Sequence, residues 1–442
     1  MIEISAPRRT YSVCPVCGKK IPARQVRRGA DVYLEKECLE HGPFSTVVWR
    51  GQPALEVWRG NFPAIAPGEN ESCPTVCGLC AEHRRGTCCV LVEITARCNL
   101  RCAHCFADDV SASEPTMDEL RIWFSYLVKV GNTFVQLSGG EPTMRDDLPQ
   151  IVRLARECGM EYVQLNSNGL RLADEPKFLD ALAEAGLSFV FLQFDGLDDK
   201  IYDNLRGAPL LARKKAAITA CGERRIGVTL VPTLVPGVNI QQIWKIVEFG
   251  AGLSPAVRGV HFQPVSYFGR YPQKLHQAPD DAMRVTLPEV ISALDEQSSG
   301  ALKAEWFRPS CCDHPQCGFH ADFLALPGEP IRPMRAEAPA QNCCCGPSGD
   351  DEDAALKNRH YVGRRWSRRS GGHDLPMQKE PKAGTLDDFL QKARRHVFTI
   401  SAMAFQDLWT LDLERLRQCS LHVYDRGRIV PFCSYYNLAQ ER

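Results

Sequence analysis

Cysteine is the residue type whose spacing in this chain most directly indicates chemistry. The sequence contains 21 cysteines, and most of them fall in tight groups. Thiolates two and three residues apart suit zinc or iron–sulfur ligation, and in a reducing compartment such groups favour metal over disulfides. Two groups share the spacing C-x3-C-x2-C: Cys73, Cys77 and Cys80, and Cys98, Cys102 and Cys105. Because three cysteines leave a tetrahedral site incomplete, each triplet borrows a ligand or leaves one position open to a small molecule.

The position of each triplet relative to a predicted strand separates the two. Cys98 begins the loop that follows the first β-type run, at the strand end where barrel enzymes place their active sites. The triplet that starts at Cys73 precedes this run and lies next to no strand end. We therefore predict that Cys98, Cys102 and Cys105 form the catalytic centre. The upstream triplet is predicted to hold an auxiliary cluster with a distant fourth ligand.

The elements that must position Cys98 alternate between strand and helix. Six short apolar runs rich in β-formers, from "CCVLVEIT" to "RGVHFQPV", lie between residues 88 and 270. Helix-type runs with apolar residues three and four apart, such as "TMDELRIWFSYLVKVG", separate them. This order predicts an α/β fold with a parallel sheet, either a partial (β/α)6 barrel or a doubly wound sheet.

The composition divides the chain into three predicted regions. Residues 1–87 are rich in Cys, Gly and Pro and are predicted to bind metal, and residues 88–270 form the α/β core. Residues 271–442 are less regular and carry candidate auxiliary-cluster and substrate groups. Within them we expect a mobile loop at about 327–385, which is rich in Pro, Gly, Arg and Asp, and then a helical segment, "LDDFLQKARRHVFTISAMAFQDLWTLDLERLRQC".

The overall charge and hydropathy exclude some function classes. The formal net charge is zero, which argues against a broad electrostatic grip on nucleic acid. The longest apolar runs have the length of a strand and predict no transmembrane segment. No N-terminal stretch pairs a charged region with an apolar one, so we expect a cytoplasmic protein.

A second set of metal ligands precedes the two triplets. Cys14 and Cys17 are two residues apart, and Cys38 is followed by His41, which makes a four-ligand tetrahedral set. Zinc and a rubredoxin-like mononuclear iron both fit this set, because a closed Cys-rich tetrahedron serves either metal. A structural role is expected rather than an electron relay.

The remaining cysteines are distributed over the core and the C-terminal region. Five of them could complete a second auxiliary cluster with a remote partner: Cys311, Cys312, Cys317, Cys419 and Cys433. Cys158 and Cys221 lie in helix-like surroundings, and simple burial is predicted for both. For the adjacent Cys343, Cys344 and Cys345, cluster ligation, an incidental thiol and a redox-active role all remain open.

The segment "CNLRCAHC" at residues 98–105 resembles the cluster motif of the radical S-adenosylmethionine (radical SAM) enzymes. In that superfamily three thiolates bind three irons of a 4Fe-4S cluster, and SAM chelates the fourth. An electron from the reduced cluster releases methionine and a 5′-deoxyadenosyl radical that abstracts hydrogen. The resemblance therefore implies SAM as a partner, one or two auxiliary 4Fe-4S clusters, and a reductant such as ferredoxin or flavodoxin.

Downstream motifs resemble the SAM-binding segments of that superfamily in the expected order. "SGGEP" follows the second predicted strand, "LNSNG" the third and "QFDG" the fourth, and "NLRG" comes next. Glycines permit close backbone approach, and the glutamate could accept hydrogen bonds from an ammonium group. The resemblance implies these cofactor-binding residues: His104, Gly139, Gly140, Glu141, Asn166, Asn168, Gln193, Asp195 and Arg206.

The resemblance covers nearly the whole chain except about 327–385, and it indicates one branch of the superfamily. That branch contains the class D methyltransferases, which methylate a pterin precursor, and the archaeal tetraether lipid synthases, which join lipid alkyl chains. The methyltransferase interpretation is favoured because the amphipathic stretch expected for lipid access is not evident. A lipid substrate would need an apolar groove, although such residues more often form the core. Its candidate lining residues are Phe262, Tyr267, Phe268, Phe405, Trp409 and Leu411.

Arg270, after the sixth strand, is predicted to point at the barrel mouth, where it would bind a polar or phosphate head group or form a surface salt bridge.

Two other function classes fit the sequence less well. A non-catalytic iron–sulfur electron carrier would not need the motifs at the strand ends. A zinc-dependent nucleic-acid module would need a basic face, which the zero net charge disfavours. The basic segment "NRHYVGRRWSRRSGG" is either an RNA-contacting loop or, as we expect, a solvated one.

Overall fold

The computed structural model describes most of the chain. The described residues are 7–60, 62, 73–74, 78–106, 114–272, 278–310, 313–334, 351–367 and 385–438. Several cysteines considered as metal ligands lie outside these ranges: Cys77, Cys311, Cys312, Cys343, Cys344 and Cys345.

The N-terminal residues form a four-stranded antiparallel sheet in the order β1-β2-β3-β4. Its strands are β1 (Arg8–Val13), β2 (Lys20–Arg28), β3 (Asp31–Cys38) and β4 (Gly42–Trp49), and the short helix α1 (Leu55–Arg59) follows. Residues alternate between buried and more exposed positions along β2 and β3, as expected for a sheet with one face against the protein. On that face, Gln25 Nε2 donates to Asp412 Oδ2 at 2.8 Å, and Lys36 Nζ donates to the carbonyl oxygen of Leu408 at 2.6 Å. These contacts attach the sheet to the C-terminal region.

Six parallel strands form the α/β core, and each coincides with one of the six predicted runs. They are β5 (Cys89–Thr95), β6 (Phe134–Gly139), β7 (Tyr162–Ser167), β8 (Phe189–Gln193), β9 (Gly227–Val231) and, after the two-residue strand β10 (Thr233–Leu234), β11 (Val257–Pro264). From β5 to β11, neighbours in the core sheet follow the order of the chain. A doubly wound sheet reverses its strand order, so the sequential order confirms the (β/α)6 arrangement and corrects the doubly wound alternative.

Amphipathic helices connect these strands. They are α2 (Met117–Lys129), α3 (Leu148–Glu157), α4 (Leu170–Asp174), α5 (Pro176–Glu184), α6 (Asp199–Arg206), α7 (Leu211–Glu223) and α8 (Ile243–Gly252). A capping box begins α2, where Thr116 Oγ1 accepts from the Glu119 amide at 3.2 Å and the Glu119 carboxylate accepts from the Thr116 amide at 2.8 Å. The same helix buries Leu120, Phe124 and Leu127, which are spaced four and three residues apart.

The C-terminal region adds strands to both edges of the core sheet. Its elements are α9 (Leu287–Gln297), β12 (Arg308–Pro309), β13 (Gly318–Leu324), β14 (Arg332–Pro333), α10 (Asp351–Trp366), α11 (Leu386–Arg395), β15 (Val397–Met403), α12 (Leu413–Leu416), β16 (Leu421–Asp425), β17 (Arg428–Pro431) and α13 (Phe432–Leu438). Strand β15 lies parallel beside β11, and β16 lies parallel beside β5. Short 3-10 helices occur at Pro142–Met144, Ile240–Gln242, Asp281–Met283 and Ala304–Trp306. No helix in the described part of the chain is long and apolar enough to cross a membrane.

The sheet path β12-β13-β15-β11-β9-β8-β7-β6-β5-β16-β17 is open at both ends, as a partial barrel requires. The prediction of one helical segment after residue 385 is wrong at β15. Val397, Phe398, Thr399 and Ile400 are β-branched or aromatic and are buried in succession, which is the pattern of a parallel strand covered on both faces. The division of the chain into 1–87, 88–270 and 271–442 stays a prediction.

Helix α10 lies inside the segment predicted as a loop at about 327–385, and the loop prediction is wrong for Asp351–Trp366. This helix crosses the N-terminal ends of the core strands. The Arg359 guanidinium donates to the carbonyl oxygens of Thr87 at 2.8 Å and Cys88 at 3.1 Å, just before β5. Beside β11, Arg258 Nε donates to the carbonyl oxygen of Arg365 at 3.0 Å. Helix α10 therefore closes the end of the barrel opposite the Cys98 loop.

We expect Arg359→Ala to loosen this closure, because the buried carbonyl groups that Arg359 bonds would lose their partner. The melting temperature should fall by about 2–5 °C, and α10 should become more sensitive to protease. Arg364→Ala, at an exposed position on the same helix, is the matched control and should change both measurements less. Equal effects of the two substitutions would show that Arg359 does not anchor α10.

Candidate active site and metal centres

The inner faces of the core strands and the loops after them enclose a cavity of about 360 Å³. Of the predicted catalytic and cofactor-binding residues, all but one line it. The lining members of that set are Cys98, Cys102, His104, Cys105, Gly139, Gly140, Glu141, Asn166, Asn168, Gln193 and Arg206. The other, Asp195, has no exposed surface.

Two glycines let the loop after β6 pack directly on the start of the Cys98 loop. The Gly140 amide donates to the carbonyl oxygen of Thr95 at 2.8 Å, and the Glu141 amide donates to that of Arg97 at 2.8 Å. A Cβ atom on Gly139 would lie 2.1 Å from the Thr95 oxygen, and one on Gly140 would lie 2.3 Å from the Arg97 oxygen. Any other residue at these positions would push the two loops apart.

A second backbone contact holds the other end of the Cys98 loop. The Cys105 amide donates to the carbonyl oxygen of Arg270 at 3.0 Å, and the Arg270 amide donates back at 2.9 Å. Gly269 has a φ of +64°, and a Cβ there would lie 2.4 Å from the Cys105 oxygen. The prediction for Arg270 concerned its side chain at the cavity mouth. Arg270 does not line the cavity, and its backbone is what contacts the cysteine loop.

The cysteine loop fits an iron–sulfur cluster with one open position. Cys98, Cys102 and Cys105 all line the cavity, and their thiols are soft ligands suited to iron. Partial desolvation, together with charge repulsion from Glu141, Cys102 and Cys105, raises the pKa of Cys98 to about 11. A bound metal would offset this rise in pKa by stabilising the thiolates.

Glu141 joins the loops that follow β6 and β7. Its carboxylate accepts from the Thr143 amide at 3.1 Å, from Thr143 Oγ1 at 2.7 Å, from Ser167 Oγ at 2.8 Å and from the Asn168 amide at 2.6 Å. Only 1% of Glu141 is exposed. Its first role is therefore to position these loops, and the predicted contact with an ammonium group stays a prediction.

Asp195 and Arg206 form a buried ion pair beside the cysteine loop. Arg206 Nε donates to Asp195 Oδ2 at 2.8 Å, and Nη2 donates to Oδ1 at 2.7 Å. Although burial opposes the charged form, the facing carboxylate raises the pKa of Arg206 above its usual range. Arg206 faces the cavity while Asp195 lies behind it, so the guanidinium is the group placed to bind an anionic ligand.

Sequence reasoning missed Lys214, whose side chain bonds to the cavity-lining residues Asn168 and Gln193. Its Nζ donates to the carbonyl oxygen of Asn168 at 2.5 Å and to Gln193 Oε1 at 3.3 Å, and burial lowers its pKa to about 8. The signal was present in the sequence. Lys214 falls on the apolar face of α7, in the same stripe as Ala217 and Ile218.

The inner faces of the strands also carry uncharged polar side chains that sequence reasoning missed. The cavity is lined by Gln136, Ser138, Gln164, His261, Gln263 and Ser401, together with the predicted residues Asn166 and Gln193. Gln164 Nε2 donates to Asn166 Oδ1 at 2.5 Å, and Gln136 Nε2 donates to Cys89 Sγ at 3.0 Å. The alternation in "FVQLS" and "YVQLNS" was the available signal, because every second residue of a strand shares a face.

Aromatic rings form the wall between the cysteine loop and α13. Phe106, which follows Cys105, stacks on Phe268 with ring centres 4.8 Å apart, and Phe405 stacks on Phe432 at 4.4 Å. Of the six residues predicted to line a lipid groove, only Phe405 lines the cavity. The others are buried in the core.

The N-terminal ligand set comes together as the spacing predicts. The ligand atoms of Cys14, Cys17, Cys38 and His41 all lie within 4.8 Å of one another. His41 Nδ1 is 3.6 Å from Cys14 Sγ and 3.5 Å from Cys38 Sγ, and hydrogen bonding to His41 lowers the pKa of Cys38 to about 6. Four soft and borderline ligands at this separation fit one tetrahedral ion, zinc or iron.

The described candidates for auxiliary clusters fall into two adjacent groups. Cys433 is buried beside the half-buried Cys317 and Cys419, and burial, with the repulsion of Cys317 and Asp313, raises the pKa of Cys433 to about 12. Cys73 and Cys80 are near each other. A hydrogen bond of 3.1 Å from Ser434 Oγ to the Pro74 carbonyl oxygen, next to Cys73, joins the two groups. The number of clusters stays a prediction, whereas Cys221 is buried as predicted.

The chain is similar to several known proteins. The Radical SAM superfamily matches residues 92–250, and the HMPTM N-terminal zinc ribbon domain matches residues 6–50. A 7,8-dihydro-6-hydroxymethylpterin dimethyltransferase of Methanocaldococcus jannaschii is 30% identical over 98% of this chain and 94% of its own length. An AdoMet-dependent heme synthase of Methanosarcina barkeri is 31% identical over 38% of this chain and 49% of its own. Among solved structures, Streptococcus suis SuiB covers 49% of this chain and 46% of its own, with 16% identity and a TM-score of 0.39.

We expect Gly140→Ala to reduce the iron bound after reconstitution with iron and sulfide, because the added Cβ would separate the two loops that place Cys98. Iron per chain and the visible absorption should fall by about one cluster's share. Gly252→Ala is the matched control, since a Cβ there meets nothing within 4 Å. Normal iron content in Gly140→Ala would show that the close approach is not needed for ligation.

We expect Cys38→Ser to lose the N-terminal metal and to destabilise the β1–β4 sheet, because a structural tetrahedral site supplies folding free energy. Metal analysis of the wild type identifies zinc or iron, and the variant should lack about one ion per chain and melt at a lower temperature. Cys158→Ser removes a cysteine outside the four-ligand set and serves as the control. Unchanged metal content in Cys38→Ser would contradict the four-ligand site.

Proposed function

The chain belongs to the radical SAM superfamily and is an enzyme, and from this premise we propose that it cleaves SAM reductively in order to methylate a small pterin-like substrate. The cluster, when bound at Cys98, Cys102 and Cys105, supplies the electron that splits SAM into methionine and a 5′-deoxyadenosyl radical. That radical would take hydrogen from the one-carbon group of a reduced folate-type donor and become 5′-deoxyadenosine, and the donor's carbon, not the SAM methyl group, would pass to the pterin with further electrons from the reductant. A ferredoxin or flavodoxin is the proposed electron source.

The chain's own residues hold SAM next to the cysteine loop. The two glycines of the loop after β6 bring its backbone close to Cys98, and Glu141 keeps that loop against the one after β7. The Arg206 guanidinium faces the cavity with Asp195 behind it, so we assign it to the SAM carboxylate. His104 lies between Cys102 and Cys105 and lines the cavity, which fits a contact with the adenine.

The proposal of a ring substrate rests on the uncharged polar side chains that line the cavity. Gln136, Gln164 and His261 present hydrogen-bonding groups of the kind that pair with the edge of a nitrogen heterocycle. The aromatic wall that contains Phe405 offers faces for stacking. The dimethyltransferase relative, named for a pterin substrate, matches this chain over almost its full length. Pterin methylation is therefore the activity we propose.

The coupling of lipid alkyl chains is the alternative, and the cavity disfavours it. An alkyl chain packed against Gln136 and Gln164 could not hydrogen-bond to the donor and acceptor positions that Cys89 and Asn166 leave open on these amides. The residues proposed for an apolar groove are mostly core residues, since only Phe405 reaches the cavity. A non-catalytic electron carrier is inconsistent with membership of this enzyme family.

Two further cofactor assignments belong to this proposal. We assign the cysteines near Cys73 and near Cys433 to one or two auxiliary clusters, because thiols buried side by side are stabilised by metal. We assign zinc to the N-terminal set, for which the zinc ribbon match is the support.

The decisive test is anaerobic. Wild-type protein reconstituted with iron and sulfide should release 5′-deoxyadenosine from SAM after reduction with dithionite, and Cys102→Ala should release none. Cys158→Ala, which removes a half-buried cysteine at the end of α3, should behave as the wild type. With 7,8-dihydro-6-hydroxymethylpterin and a reduced folate as carbon donor, mass spectrometry should show the pterin heavier by one or two methyl groups.

Two results would overturn parts of the proposal. If the reconstituted wild type formed no 5′-deoxyadenosine, the cleavage of SAM at this loop would be wrong. If it formed 5′-deoxyadenosine but left the pterin unmethylated while coupling lipid chains, the substrate assignment would pass to the lipid alternative.

A further inference from the structure

His261 lies in the middle of the cavity wall, between the cysteine loop and α10. It is on β11, directly across from Ser401 in the parallel register with β15. His261 Nδ1 is 2.9 Å from Ser401 Oγ, so this ring nitrogen hydrogen-bonds to a neighbouring residue of the cavity wall. His261 lines the cavity, and within the described part of the chain no protein group bonds to its Nε2.

Burial lowers the pKa of His261 to about 4, so the ring is neutral at physiological pH. A neutral imidazole has one donor and one acceptor nitrogen. The Ser401 hydroxyl can donate or accept, and it therefore fixes the ring orientation for either tautomer. An uncharged group with one open hydrogen-bonding position suits a neutral heterocycle better than an anion.

The surroundings of His261 define a place for a flat ring. The Phe191 ring lies 5.6 Å from the imidazole, and Trp366 of α10 lies 5.7 Å from Phe191 on the floor of the cavity. Gly227 and Gly259 leave room for Trp366, because a Cβ on Gly259 would lie 2.8 Å from its ring. The amide side chains of Gln136 and Gln164 line the same cavity. Polar groups would hydrogen-bond to the edge of a ring bound here, and aromatic side chains would pack against it.

We propose that His261 is a specificity-determining residue, which hydrogen-bonds through Nε2 to the polar edge of a planar nitrogen heterocycle while Ser401 holds the imidazole in place. This inference rests on the proposed function, because it takes the substrate to be pterin-like. It goes further by assigning the residue that distinguishes such a ring from an apolar molecule of the same size.

The test separates recognition through Nε2 from a structural role through Nδ1. His261→Gln keeps a polar group near the position of Nε2, His261→Asn keeps one near Nδ1, and His261→Leu keeps neither. Binding of 7,8-dihydro-6-hydroxymethylpterin is measured by its fluorescence under anaerobic conditions, and 5′-deoxyadenosine formation without pterin is measured in parallel. His396→Leu is the matched control, because His396 Nδ1 is 3.1 Å from Ser254 Oγ but does not line the cavity.

We expect His261→Leu and His261→Asn to weaken pterin binding at least about ten-fold, because they leave a buried substrate group without a partner. His261→Gln should recover most of this loss, and His396→Leu should bind as the wild type does. The rate of 5′-deoxyadenosine formation without pterin should be the same in His396→Leu as in the wild type.

Two outcomes would contradict the inference, and a third would contradict the proposed function. Wild-type affinity in His261→Leu would overturn it while leaving the proposed function intact. Recovery by Asn instead of Gln would show that the residue acts through Ser401 alone. Absence of 5′-deoxyadenosine from the wild type would instead count against the proposed function, independently of His261.

Discussion

The close approach of two loop backbones is the constraint on which the active site depends. The amides of Gly140 and Glu141 bond to carbonyl oxygens on either side of the start of the Cys98 loop, at distances that exclude a side chain at residue 139 or 140. Because the described part of the cysteine loop, residues 96–106, contains no helix or strand, these bonds and the backbone pair with Arg270 position the thiols. The cysteine thiols are therefore positioned by main-chain contacts with the loops that follow β6 and β11.

The same strands that carry these loops also decide what the cavity accepts. In most parallel barrels, bulky branched side chains fill the interior. Here the layers nearest the cysteines carry amides, hydroxyls and an imidazole, and the aromatic residues Phe134, Tyr162 and Phe189 pack together farther down. Helix α10 closes the barrel below them, and Gly363 allows it to contact the Tyr162 ring. Aromatic side chains therefore fill the end of the barrel near α10, and the polar side chains line the cavity at the end near the cysteine loop.

The sequence was sufficient for the elements in which local pattern and tertiary environment agree. Each core strand is a short apolar run, and the polar residues after β6, β7 and β8 meet at one edge of the sheet because the strands are parallel. Strand β15 was missed because "RRHVFTISAM" follows a charged helix with no Gly or Pro between them. Helix α10 was missed because its stability comes from tertiary contacts, above all those of Arg359, which a polar, Arg-rich composition does not reveal.

The role of the N-terminal metal centre follows from what its sheet contacts. Thr10 Oγ1 donates to Asp412 Oδ1 at 2.6 Å, and Ser12 Oγ donates to the carbonyl oxygen of Leu411 at 2.5 Å. The Asp412 carboxylate in turn accepts from the Glu414 amide at 2.9 Å and so caps α12, the helix that precedes Cys419. A metal that fixes the hairpins of this sheet therefore also fixes the segment that leads to the C-terminal cysteines. Packing and hydrogen bonds thus connect the four-ligand set to the C-terminal cysteines, which is what a structural role of the centre requires.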